Sequence, residues 1–69
     1  MNWQQIQGSW TELKGTVRER WGRLTGSDNA VIAGRREQLI GTIQKRYGLI
    51  REDVERQVER FSRRASAPR

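Results

Sequence analysis

The sequence predicts an all-α domain, a small bundle of about four helices arranged as two packed hairpins. Three observations carry that prediction. Apolar residues recur at steps of three and four through most of the chain, which places them along one face of a helix. No stretch alternates apolar with polar residues, and no Asn-Gly or Asp-Gly turn joins two β-branched runs, so strands have no pattern to follow. Glycines fall at the ends of the helical runs, where a left-handed residue stops a helix at little cost.

The first strong helix spans about Trp10 to Trp21. Ser9 and Glu12 make an S-x-x-E capping box in front of it, and Trp10, Leu13, Val17, Trp21 and Leu24 line one face. Gly22 is expected to end it as a left-handed residue. The turn that follows offers Ser27 or Asp28 as the cap of a short helix through Asn29 to Ala33, with a bend at Gly34. A longer helix is expected over about Arg35 to Tyr47, with Leu39, Ile40, Ile43 and Tyr47 inward and Gly48 as its stop. Arg36 falls near that stripe, and its stem is expected to lie over the core with the guanidinium in water. The last helix spans about Arg51 to Arg63. It turns Val54, Val58 and Phe61 inward and carries Glu52, Asp53 and Glu55 at its positive end.

This reading gives a helical domain over residues 9–64 and a frayed tail over residues 65–69, which has too little apolar content to pack. For residues 1–8 two states stay open, in which Trp3 and Ile6 either close the core or belong to a loose lead-in. A thin core admits completion by a second copy as well as a sufficient monomer.

Six glycines obey a constant offset: Gly8, Gly15 and Gly22 recur as Gly34, Gly41 and Gly48, with Val17 echoed by Ile43 and Trp21 by Tyr47. The echo suggests two copies of one helical unit. Gly15 and Gly41 fall inside their helices, where glycine costs about 1 kcal/mol against alanine. The expected compensation is close approach of another backbone. Neither G-x-x-x-x-G-K-[ST] nor G-x-G-x-x-G is present, so the glycines do not form a phosphate loop.

Composition narrows the chemistry. The 69 residues contain no His and no Cys, which removes the usual acid/base group of neutral pH, the commonest zinc ligands and every disulfide. Ser9, Thr16, Ser27 and Thr42 have no histidine to activate them. Lys14 and Lys45 stand next to solvated charges, and Glu52, Asp53 and Glu55 read as first-turn acids of a helix, not as a metal cage. No enzyme, cofactor or metal is expected. No leader segment or long apolar run is present, so a cytoplasmic protein that does not span the membrane is expected.

The formal charge of +6, from 14 Lys and Arg against 8 Asp and Glu, makes acidic partners the natural candidates. The residues offered to nucleic acid are Arg18, Arg20, Arg23, Arg35, Arg36, Lys45 and Arg46, with Arg60, Arg63 and Arg64 near the end. Trp10, Trp21 and Tyr47 interleave with these cations, but their place on the apolar stripe reads as core and not as a base-stacking platform. Membrane-surface binding through the last helix is weaker, because Glu52, Asp53, Glu55 and Glu59 interrupt its positive charge.

Two stretches carry a family resemblance. "GSWTELKGTVRERWGRLTGSD" resembles the opening signature of the CsbD-like family of small bacterial stress-response proteins, in which G-x-W, K-G-x-[VA] and W-G-[KR]-L-T precede an acidic turn. "GRREQLIGTIQKRYG" resembles that family's second motif, so the likeness covers about Gly8 to Phe61. It implies a compact helical fold related to a SAM-domain-like arrangement, a cytoplasmic bacterial protein and expression linked to general stress. No catalytic or ligand residue comes with it. The chain departs from the family pattern at Ile50, where Ser or Thr is common, in its reduced acidic turn of Ser27, Asp28 and Asn29, and in its many arginines.

Overall fold

A computed structural model describes residues 2–65. Its order is α1 (Trp3–Gly8), α2 (Trp10–Arg20), α3 (Gly26–Ile32), α4 (Arg36–Tyr47) and α5 (Arg51–Ala65). No strand occurs among the described residues. Among the described residues five helices stand where about four were expected, because the segment Trp3–Gly8 is itself helical. The frayed tail expected over residues 65–69 falls almost wholly outside the described residues, and Ala65 is the last residue of α5.

The apolar stripes meet in one core. Ile6, Val17, Ile32, Leu39, Ile40, Ile43, Val54 and Val58 are fully buried, and Trp10, Trp21, Leu24 and Phe61 nearly so. Trp3, Leu13, Tyr47 and Leu49 pack half-buried against them. The pairing of α4 with α5 is the most extensive, α3 lies on α4, and α1 bridges α2 and α5. Burying an aliphatic side chain is worth about 1.5–3 kcal/mol, so this interior is what holds five short helices in place.

Capping follows backbone geometry more than the nearest hydroxyl. Ser9 has φ −103° and ψ 13°, outside the extended region a cap needs, and its side chain makes no capping bond. The expected Ser9–Glu12 box is absent because α1 runs almost directly into α2. Two other boxes form instead. Asn2 and Gln5 exchange bonds of 2.9 and 3.1 Å at α1, and Thr25 and Asp28 exchange two of 3.0 Å at α3. The cap of α3 is thus Thr25, with Asp28 as its reciprocal partner.

The glycines divide differently from the expectation. Gly48 is left-handed at φ 65° and ends α4, with its N–H on the Gln44 carbonyl. Gly22 is not left-handed. α2 stops one residue earlier because Trp21 leaves the helix, at φ −126° and ψ 77°, to bury its indole. Gly15 and Gly41 are exposed, and a Cβ at either would meet no neighbour within 4 Å. The close backbone approach expected there is absent. It occurs at Gly34, which is buried with φ 78°, and where a Cβ would come 2.6 Å from Gln7 Cα. That contact seats α1 on the turn between α3 and α4.

Candidate functional site

The two equivalent aromatics of the sequence echo anchor the cationic surface. Trp21 is buried edge-on against Phe61, with ring centroids 5.7 Å apart, and its Nε1–H donates to Gln57 Oε1 at 2.8 Å. Tyr47 is half-buried and its hydroxyl accepts the Arg23 backbone N–H at 3.0 Å. The Arg20 guanidinium lies 5.9 Å from the Trp21 ring centroid, and that of Arg23 lies 5.2 Å from Tyr47. An aromatic face holds a guanidinium without neutralising it. Trp10 and Trp21 therefore serve the interior, and Trp21 and Tyr47 also position charge.

The other sequence-indicated cations separate into two groups. Arg18, Arg35, Lys45, Arg60 and Arg64 are exposed, on α2, before α4, on α4 and on α5. Arg63 is exposed on α5 as well. Arg36 and Arg46 are bound within the protein. The guanidinium of Arg36, expected in water, reaches Glu37 at 3.1 Å, Glu55 at 3.4 Å and Glu59 at 3.9 Å. Arg51 adds bonds to Glu37 and Glu55, so four side chains and Glu59 clasp α4 to α5. The Arg51 hydrogen bond holds the Glu37 carboxyl below its usual range, and the same bond raises Arg51.

Arg46 makes a bidentate pair with Asp28, using Nε and Nη2 at 2.9 Å each. These bonds, with the Thr25 N–H, bring the Asp28 carboxyl down to about 2. Arg46 is raised by the same carboxylate.

A groove between α2 and α3 was not indicated by the sequence. It has a volume of about 420 Å³ and is lined by Trp10, Thr11, Glu12, Lys14, Gly15 and Arg18 on α2 and by Gly26, Asn29 and Ala30 on α3. Spacings of three and four on both walls make it a seam between two helix faces. At its base the Trp10 Nε1–H donates to the Asn29 carbonyl at 2.9 Å. Asn29 is 3% exposed; its Nδ2 donates to the Thr25 carbonyl at 3.1 Å, and its Oδ1 is buried without a partner. Gly15 lies exposed on the α2 wall, and nothing local in the sequence distinguishes it from the equally exposed Gly41.

This fold and surface define a small basic helical domain whose glycine and aromatic positions repeat. The chain belongs to the CsbD-like family, whose model matches residues 4–56. It is 48% identical over 62 residues to the UPF0337 protein NE2439 of Nitrosomonas europaea, a match spanning 90% of this chain and 66% of that one. It is 42% identical over 64 residues to the UPF0337 protein YjbJ of Escherichia coli O6:H1, spanning 93% of each chain. A third relative, the UPF0337 protein ECA0631 of Pectobacterium atrosepticum, is 46% identical over 61 residues and 88% of each chain. No solved structure matches.

Proposed function

We propose that this protein is a non-enzymatic bacterial stress-response protein of the cytoplasm that works by presenting a cationic helical surface to acidic macromolecules. The observation that carries the reading is the pair Arg20 and Arg23, held over Trp21 and Tyr47 and, among the described residues, joined to no carboxylate. Their charge stays available to a partner, whereas that of Arg36 and Arg46 is spent inside the fold. A chain without His or Cys lacks the groups most catalytic mechanisms use at neutral pH.

Within that reading nucleic acid is the favoured acidic partner, since planar guanidiniums pair with phosphate in two-pronged fashion. The test is a titration of labelled single- and double-stranded DNA and RNA across a salt series. Binding that weakens steeply with salt supports the reading. Failure to bind at low salt removes nucleic acid as the partner. A turnover activity abolished by one surface substitution removes the non-enzymatic reading altogether.

A further inference from the structure

We propose, resting on the nucleic-acid reading above, that the end of α2 and one flank of α5 form a single cationic face that binds a nucleic-acid duplex along its phosphates in preference to a single strand. Trp21 joins the two elements. Its indole packs on Phe61 and donates to Gln57, both on α5, while the Arg20 guanidinium lies over its ring and Arg23 stands two residues on, over Tyr47. Arg60 follows Gln57 by three residues and Arg64 follows Phe61 by three, so each is the helical neighbour of a residue that touches Trp21. A helical side chain leans over the turn before its own, which carries Arg64 back towards the level of Trp21. Arg20, Arg23, Arg60 and Arg64 are all exposed, and none has an ion pair among the described residues.

The acids of these helices are drawn elsewhere. Glu55 and Glu59 are held by Arg36 and Arg51 on the side of α4, and Asp53 is paired with Arg56. At about 100° per residue, Glu59 lies about 160° around α5 from Gln57, and Glu19 lies about 100° around α2 from Arg20. What the face lacks decides the form of the partner. Single strands are held chiefly by stacking their bases on open aromatic rings. Among the described residues no aromatic ring is exposed: Trp10, Trp21 and Phe61 are buried, Trp3 and Tyr47 are half-buried, and Tyr47 has Arg23 over its ring. Four guanidiniums on two packed helices suit instead the rigid double row of phosphates of a duplex, which carries one charge per about 1.7 Å of its axis.

The test is fluorescence anisotropy of a labelled DNA duplex and of each of its separated strands, titrated with the full chain across a salt series. The duplex is expected to bind about tenfold or more tighter than either strand at equal salt, with a slope of log affinity against log salt of about −3 to −4 for four phosphate contacts. Arg60→Gln and Arg64→Gln, each alone, are expected to make that slope shallower by about 0.9 and to weaken duplex binding about threefold or more. Lys14→Gln removes the same charge from the α2 wall that faces α3 and is expected to leave the slope unchanged. Failure of both duplex and strands to bind removes the nucleic-acid reading and this proposal together. Three results overturn this proposal alone: a strand that binds as tightly as the duplex, a parental slope in both Arg60→Gln and Arg64→Gln, or a loss in Lys14→Gln as large as theirs.

Discussion

The carboxylate of Asp28 is bound at once to its own helix and to another: it accepts the Thr25 N–H at 3.0 Å and both donors of the Arg46 fork at 2.9 Å. One side chain thus caps α3 and ties it to α4. Protonation removes the charge on which both bonds depend. With the folded carboxyl at about 2 and its ordinary value at 3.8, its contribution is fully present above pH 3.8 and is lost as pH falls towards 2. Urea denaturation of the parent and of Asp28→Asn at several pH values should therefore give a gap that is constant near neutrality and closes between about pH 4 and pH 2. A gap unchanged across that window would mean that Asp28 titrates normally.

Gly15, Gly41 and Gly34 should respond to alanine in opposite directions. At Gly15 and Gly41 the new methyl meets nothing and the helix gains, so each variant should be more stable by about 0.5–1 kcal/mol. At Gly34 a positive φ and a clash with Gln7 act together, and the variant should lose about 2 kcal/mol or more. Chemical denaturation midpoints at constant slope measure all three.

Trp21 and Gln57 form the hydrogen bond that joins the end of α2 to α5. Trp21→Phe keeps most of the ring contact with Phe61 but leaves Gln57 Oε1 without its donor, at a cost of about 1–3 kcal/mol. Adding Gln57→Leu removes the stranded acceptor and should recover part of that loss. The double-mutant cycle measures the coupling, and additive effects would show that the bond contributes nothing of its own.

Arg20→Gln combined with Arg23→Gln should weaken nucleic-acid binding at every sequence tested. The slope of log affinity against log salt should become shallower by about one to two, for the phosphate contacts removed. The same change at Arg46 should act on stability instead, because its charge is already engaged by Asp28.

Much of the fold is legible in the chain. The positions Trp10, Val17 and Trp21, then Leu39, Ile43, Val54, Val58 and Phe61, are read from periodicity alone because a helix can bury only one face. Gly48 is legible as a stop for the same local reason. Gly15 and Gly41 are not, since an interior glycine signals either close approach or open space, and only the tertiary neighbours distinguish them. The caps show a different failure. N-x-x-Q at Asn2 and T-x-x-D at Thr25 are both visible, yet Ser9 is the more familiar sign, and the merging of α1 into α2 disables it. Asp28 with Arg46, and the seam at Asn29, join residues remote in the chain. No local pattern encodes such pairs.

The two interior indoles have a practical consequence. Trp10 and Trp21 are both largely buried, with their N–H groups bonded to protein oxygen. Their ultraviolet emission in the folded state belongs at the blue end of the tryptophan range and must move red when water reaches them. The molecule therefore carries its own optical gauge of integrity, with no dye attached.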